Sequence, residues 1–498
     1  MRALHPDHHR VVSALTTPDL ADIVDLVVWV DDAGGEPTAY AANAVGTVRL
    51  HPDGSRDVIA GTDPIGSEDP MAFLPYAAEL AAPSPRRSTD NAYPYAAQRL
   101  LSFFADPDRS PDLAVVHTPR HYFPEAGGHV GEHGSLDVVQ SRAPLVLSGR
   151  RVPARGYADT HARLIDVGPT MAHLAGVPES DLVDRLGAPL DGRVLTDFLT
   201  VGDPGPVVGI LWDGAPSGDL LHLAETGELP AVARLIERGV ALRGGAIAQF
   251  PSVTLTNHTS ILTGVGPGRH GVLGNVYYDR ATGQRVVLND STTWHRSGEW
   301  LRETVRTVFE MVEDHIPDVG LPRAVSIDEA IDRGADYSTM QLIRATGHER
   351  GAGGLNDQLP DPHTSPYNLD RAHLDDDYFS WGVQVDDLGL QQVLQLWADP
   401  ELAPRLTWWA NVVTDAGHHG GGPRSEIATA SLVQADARLG VFLDHLERHG
   451  VIDDVTILLT ADHGFEGSDP SVTGSWTPAL DALGIAYRDE GPGLIYLG

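Results

Sequence analysis

Cysteine and lysine are both absent from this sequence. Without cysteine there is no disulfide, no thiolate zinc site and no cysteine nucleophile, so any metal ion has to rest on Asp, Glu and His. Without lysine every fixed cation is an arginine, which excludes a Walker A phosphate loop, a Schiff-base lysine and a Ser-Lys dyad. Positive charge is scarce altogether: 35 basic side chains face 69 acidic ones, a formal charge of −34. Nucleic-acid backbones and anionic membrane surfaces are repelled by such a surface over a Debye length, and neither is expected as a partner. No apolar run approaches the roughly 18 residues of a membrane span. The opening "MRALHPDHHRVV" has no signal-peptide-like apolar stretch, so a cytoplasmic location is the expectation. There is also no GxSxG elbow of the α/β-hydrolase kind.

What is present is a large apolar stock. With 498 residues at 42% hydrophobic, the chain can bury the cores of two or three domain-sized units or of one big α/β enzyme. Three apolar runs lead directly into metal-type residues: "PVVGILWDG" at Asp213, "LTWWANVVTDAGHH" at Asp415, and "DVTILLTADHG" at Asp462 and His463. A fourth, "LAVVHTP", precedes His133. Continuous apolar runs of this length read as buried parallel strands, whose carboxyl ends line one crevice in an open α/β sheet. Amphipathic helical patterns alternate with them; "LPAVARLIERG" and "SEIATASLVQADARLGVFLDHLERHG" each end in basic residues and a glycine stop. The expected fold is a doubly wound, mostly parallel α/β sheet flanked by helices, with a smaller cap or insert region. "TVGDPGP" at 200–206 reads as a boundary between segments 1–200 and 201–498. Specificity elements are expected within 276–405, where 347–368 reads as a long polar functional loop.

The ligand types converge on one chemistry. Asp213, Asp415, His418 or His419, Asp462 and His463 form an oxygen-and-nitrogen set for borderline divalent ions, zinc first among them when thiolates are missing. Singly, each has a duller reading: Asp-Gly is favoured in strand-end turns, and a His pair before three glycines suits a solvated loop. Their co-occurrence in one α/β chain carries the inference.

Residues 250–264, "FPSVTLTNHTSILTG", place six hydroxyls and an Asn-His pair between a proline and a glycine. With "ILWDG" before it, and "VGPGRHGVLGN", "DAGHHGGGP" and "ADHG" after it, this stretch resembles the nucleotide pyrophosphatase/phosphodiesterase group of the alkaline phosphatase superfamily. The resemblance implies a threonine nucleophile three residues before an asparagine, which falls on Thr254, at the start of a helix whose N-terminal amides face the phosphate. It implies one divalent ion on Asp213, Asp462, His463 and Thr254, and a second on Asp415, one histidine of "DAGHH" and a histidine from elsewhere. The spacing from Asp415 to Pro423 favours His419 over His418, which stands where the family has glycine. Asn257 is expected to donate to a non-bridging phosphoryl oxygen. Asn275, closing the "HGVLGN" run, is a second substrate-binding candidate. A divalent ion beside a hydroxyl lowers its pKa, and two ions about 4 Å apart stabilise both the attacking and the leaving oxygen of an in-line displacement. The expected course is a phosphothreonine intermediate that water hydrolyses.

The remaining histidine does not lie downstream, because none follows His463. Segments resembling the family's closing part occur early instead: "GGHVGEHGSLDVVQSRAPLVLSG", "THARLIDVGPTMAHLAGVP" and "LDGRVL". His133 is the expected third ligand, with His129 its rival. This order implies a circular permutation, in which 1–200 is equivalent to the family's C-terminal part and 201–498 to its N-terminal part, both within one catalytic domain. The aligned asparagine favours diester or pyrophosphate bonds in a small-molecule phosphoester such as a nucleotide. Tyr277, Tyr278, Trp294, Tyr378 and Trp381 are candidates to stack on a base. Phosphomonoesters and phosphonates such as phosphonoacetate are the alternative substrates within the superfamily. A catalytically silent binding protein on the same fold is the alternative of a different class.

Overall fold

The computed structural model describes residues 4–32, 35–82, 91–290, 292–346, 359–366, 371–491 and 493–498. Most of the loop expected at 347–368 lies outside them. Eight strands build the larger sheet: β1 (Leu145–Gly149), β2 (Gly156–Ala158), β3 (Val207–Trp212), β4 (Gly239–Leu242), β5 (Ala324–Ile327), β6 (Tyr337–Ser338), β7 (Leu406–Asn411) and β8 (Thr456–Thr460). Their spatial order is β6-β5-β7-β3-β8-β1-β4-β2. Every strand runs the same way except β1, which is antiparallel to both β8 and β4. Helices cover both faces, which is why the strands are apolar along their whole length. In β7, Thr407 accepts a hydrogen bond from Trp397 Nε1 at the end of α3 (Asp377–Leu396) and Trp409 packs edge-on against Phe442 of α5 (Glu426–Arg448). Trp408 points the other way, beside Gly209 and Met171 of α1 (Val167–Ala175). Two further helices, α2 (Thr254–Thr263) and α4 (Val413–Gly421), carry site residues.

Helix starts are fixed by short polar side chains. Asp376 accepts the amides of Tyr378 and Phe379 at the start of α3, and Ser425 accepts that of Ala428 at the start of α5. Each such cap stabilises its helix by about 1 kcal/mol.

A second sheet has no counterpart in the sequence-based expectation. Seven antiparallel strands, ordered 487–490, 494–497, 113–117, 24–31, 38–43, 46–50 and 56–61, form it. The run "LAVVHTP" belongs here, as Leu113–His117 paired antiparallel with Val24–Asp31, and not among the parallel strands. The physical reason is that both faces of this sheet are also covered. Leu26, Val28 and Val30 share a core with Ala96, Leu100 and Phe103, while Val27 and Trp29 share another with Val11, Leu15 and Leu480. A strand buried on both sides reads as an unbroken apolar run whatever the direction of its neighbours.

The first and last strands of the chain both join this second sheet, Val24–Asp31 and Leu494–Leu497 each pairing with Leu113–His117. The ends also meet, His5 Nε2 lying 3.1 Å from Gly498 O and Arg10 donating to Leu483 O. Within 276–405, the hairpin Val276–Asp279/Gln284–Val287 stands apart from the large sheet, whereas β5 and β6 extend that sheet's edge. Among the described residues no helix is long and apolar enough to cross a membrane.

Candidate active site

Three neighbouring parallel strands deliver three aspartates at one end. Asp213 follows β3 directly, Asp462 follows β8 by one residue, and Asp415 lies in the first turn of α4 just beyond β7. The carboxylates are anchored on one side and open on the other. Asp462 Oδ1 accepts Gly214 N at 2.9 Å and Asp415 Oδ2 accepts the Tyr378 hydroxyl at 2.8 Å. Gly214 has φ +65°, and a Cβ there would come 2.3 Å from the Phe465 ring, so this turn requires glycine.

Three histidines share one arrangement. Nδ1 of His133, His419 and His463 faces a backbone carbonyl, those of Ser252 at 2.9 Å, Gly131 at 2.9 Å and Gly464 at 3.1 Å. Donation from Nδ1 fixes each tautomer and leaves the Nε2 lone pair outward, the usual preparation of a metal-binding imidazole. His463 Nε2 lies 3.6 Å from Asp213 and 3.2 Å from Asp462; His419 and His133 Nε2 lie 3.4 Å and 4.0 Å from Asp415. Two ligand groups result, Asp213–Asp462–His463 and His133–Asp415–His463, each with its ligand atoms within 4.8 Å of one another. His419 is brought to Asp415 as its i+4 neighbour on α4. His418 is not: its Nδ1 faces Thr414 O and its ring stacks on Phe465.

Buried atoms without partners show what the site lacks. Asp213 Oδ1, Asp415 Oδ1, Asp462 Oδ2 and His463 Nε2 are buried without a hydrogen-bond partner. Burial, with the charges of Asp462 and Asp415, holds the Asp213 carboxyl well above its usual range, and burial likewise raises Asp462. Burial pushes His133 and His463 down to about 3. Burial acts on Asp415 in the raising direction too, but the imidazoles of His419, His133 and His463 outweigh it and hold that carboxyl low. Neutral imidazoles with outward lone pairs, and carboxyls short of counter-charge, fit divalent cations.

Of the six hydroxyls at 252–263, Thr254 alone is half-buried. Thr259, Ser260 and Thr263 donate back to α2 carbonyls, and Ser252 donates to Ser135 O. Thr254 opens α2 without capping it: the cap residue is Val253, and Asn275 Oδ1 accepts Leu255 N at 3.1 Å.

Asn257 requires a correction. Its side chain is fully buried, accepting Gln249 N at 2.7 Å and donating to Pro251 O at 3.1 Å and Val253 O at 3.0 Å. Both its donor hydrogens are spent on backbone, so it clamps the loop entering α2 and is not free to hold a phosphoryl oxygen. Asn275 is half-buried, and among the described residues its Nδ2 makes no hydrogen bond.

The profile of the type I phosphodiesterase/nucleotide pyrophosphatase family matches residues 207–494, more than half of the chain. The chain belongs to that family. An uncharacterised pyrophosphatase/phosphodiesterase of Schizosaccharomyces pombe is 36% identical over 104 residues, 18% of this chain and 21% of that one. Alkaline phosphatase PafA of Elizabethkingia meningoseptica is 38% identical over 60 residues, 12% and 11% of the two chains. This chain therefore spans only a small part of the length of these relatives. Among solved structures, phosphonoacetate hydrolase from Sinorhizobium meliloti aligns at TM-score 0.34 and 24% identity over 52% of this chain and 56% of its own. Murine ectonucleotide pyrophosphatase/phosphodiesterase 5 aligns at 0.35 and 16%, over 52% and 57%.

Three further residues of this family member touch the site. His258, one turn after Thr254, has Nε2 at 3.8 Å from Asp213 and 3.6 Å from Asp462. Its Nδ1 is held at 2.8 Å by fully buried Glu329, which also accepts Trp408 Nε1. Burial alone lowers the His258 pKa, yet the Glu329 carboxylate and Asp462 outweigh it and raise it to about 9. The i+4 spacing from Thr254 was the available signal for His258. Glu329 carried none, being joined to the site only by tertiary folding. Tyr378 was visible as an aromatic, but not as a partner of Asp415.

Proposed function

We propose that the chain is a divalent-metal-dependent phosphodiesterase or nucleotide pyrophosphatase working through Thr254. The observation carrying this reading is the convergence of partnerless buried ligand atoms, Asp213 Oδ1, Asp462 Oδ2, His463 Nε2 and Asp415 Oδ1, at the end of α2 that begins with Thr254, whose next turn brings His258 Nε2 to 3.8 Å from Asp213 and 3.6 Å from Asp462. One ion is assigned to Asp213, Asp462, His463 and Thr254, and a second to Asp415, His133 and His419; zinc suits the nitrogen-and-oxygen set. When bound, such ions supply Lewis acidity that favours the ionised hydroxyl and neutralises phosphoryl charge. Thr254 Oγ1 gives up its proton to solvent and attacks phosphorus as the bond to the leaving oxygen breaks, and the leaving group departs as an anion or takes up a proton from solvent. Water then adds to phosphorus, the P–Oγ1 bond breaks, and a proton returns to Thr254. Asn275, tethered through Leu255 N, offers Nδ2 to a non-bridging oxygen.

The substrate class is argued from Tyr378. Its hydroxyl rests on Asp415, its ring stacks on Trp381 at 5.9 Å and 19°, and the residue is 41% exposed. An aromatic plane at the edge of the cluster suits a nucleobase or aryl group on a phosphodiester. Tyr277 is fully buried, and Tyr278 and Trp294 pack against the second sheet's core. The test is elemental analysis with rates on bis-p-nitrophenyl phosphate, p-nitrophenyl phosphate, p-nitrophenyl thymidine monophosphate and phosphonoacetate. Two divalent ions per chain, diesters turned over fastest, and loss of turnover on chelation are expected. Monoester or phosphonoacetate turnover far above that of diesters would replace this substrate class, and neither metal nor turnover would leave a silent binding protein.

We also infer that the chain is circularly permuted relative to its family. The family match begins at Val207, just past the 200–206 joint. Supporting it, β1 from the first segment is inserted between β8 and β4 of the second, and His5 meets Gly498. Such proximity makes rejoined ends tolerable. A chain restarted at Pro206, linked from 498 to 1 and ended near Thr200 is expected to fold and turn over diester at a rate near the parent's. An insoluble or inactive product from several linker lengths counts against it.

A further inference from the structure

Beside the two ligand sets assigned above, and sharing His419 with the second, lies a third group. His129, Glu132 and His419 offer ligand atoms all within 4.8 Å of one another, His129 Nδ1 lying 3.5 Å from Glu132 Oε1 and its ring centroid 4.2 Å from that of His419. The short strand Gly131–Glu132 builds both this group and the inner one. Successive side chains of an extended segment point to opposite sides, so Glu132 turns to His129 while His133 turns to Asp415. The strand is held on several sides. It pairs antiparallel with Glu466–Gly467, Ser468 donates from N to Val130 O and from Oγ to His129 O, and Gly131 O receives His419 Nδ1. Gly131 itself permits this, since a Cβ there would come 2.1 Å from His418 O.

Exposure falls along a line from solvent inward. The side chains of His129 and Glu132 are 35% and 14% exposed, those of His419 and Asp415 10% and 8%. His419 stands at the junction. With Nδ1 committed to Gly131 O, only its Nε2 can ligate, and one lone pair serves one ion at a time. The outer group and the Asp415 group therefore cannot both be filled through His419.

We infer that His129 and Glu132 form a loading position, where a divalent cation from solvent is first held with His419 and then passes to Asp415 and His133 by ligand exchange. The inference rests on the two-ion reading above. Its test uses the full chain stripped by chelator and mixed with zinc, uptake being followed with a chromophoric zinc indicator and final content by elemental analysis. Glu132→Gln and His129→Asn are each expected to slow uptake about tenfold or more, the lower range for removing a metal-site partner. Final zinc per chain should equal the parent's. Thermal unfolding of the stripped variants checks that the strand remains folded, and the two chemically different substitutions guard against a defect peculiar to one. Parent-like uptake rates in both variants would overturn the inference. So would a variant ending one ion short, since the residue is then a permanent ligand. A parent chain that takes up no zinc would overturn the two-ion reading as well, whereas normal stoichiometry with unaltered rates would overturn the loading role alone.

Discussion

Thr254→Ala is expected to abolish phosphoenzyme formation and to lower diester turnover on the order of 10⁴-fold or more, as loss of a nucleophile does in other covalent mechanisms. The fold should not notice. Thr254 is half-buried, its hydroxyl makes no hydrogen bond among the described residues, and it caps nothing at the start of α2. Alanine is the better helix former, so the stability change should stay within about 0.5 kcal/mol. Thr254→Ser keeps the hydroxyl and gives up the β-branch that restricts χ1, so partial turnover is expected. Rapid acid quench with a radiolabelled diester reads the covalent adduct, and steady-state release of p-nitrophenol reads turnover. Full activity in the alanine variant would end the assignment and turn attention to Thr256. Thr256 is a poor substitute on structural grounds, because its side chain is fully buried with an unpartnered Oγ1.

How much of this site the sequence carried depends on where the information for each residue resides. Asp213, Asp415 and Asp462 were legible because a wholly apolar strand followed by a lone acid is a local pattern, and adjacent parallel strands bring such patterns to one edge. Their neighbourhood follows from β7, β3 and β8 being consecutive in the sheet. His133 had only a distant cue, the apolar run "LAVVHTP" well upstream of it, and its place as a ligand was reached through resemblance. The direction of Leu113–His117 was not legible, since burial on both faces erases the alternation that marks an antiparallel strand with one wet face. Glu329 was out of reach for a different reason. Its role comes from the hydrogen bonds to His258 and Trp408, which lie 71 and 79 residues away along the chain. Asn257 shows the opposite failure: a local signature was read correctly as a pattern and wrongly as a role, because spacing does not tell whether an amide faces a crevice or its own backbone.

That distinction gives a paired expectation for the two asparagines. Asn257→Ala strands Gln249 N in a buried place, while Pro251 O and Val253 O each lose one of two donors and keep the backbone amides of Val253 and Asn257; an unsatisfied buried group costs about 1–3 kcal/mol. A loss of about 2 kcal/mol is expected, read as a lower midpoint in denaturant. Turnover should fall with it, because Val253 is the residue from which α2 and Thr254 are launched. Asn275→Ala removes a half-buried side chain that, among the described residues, has one hydrogen-bonded tether, to Leu255 N. Its unfolding midpoint should barely move, while kcat on a diester falls roughly 10²- to 10³-fold, the size typical of one lost preorganised donor. Metal content measured on both variants separates a lost donor from a lost ion, and should stay at the parent's value in Asn275→Ala. The outcome that reverses the assignment is equally specific: an Asn257→Ala protein of parental stability with a hundredfold lower kcat, beside an Asn275→Ala protein of parental kcat, would return the phosphoryl contact to Asn257.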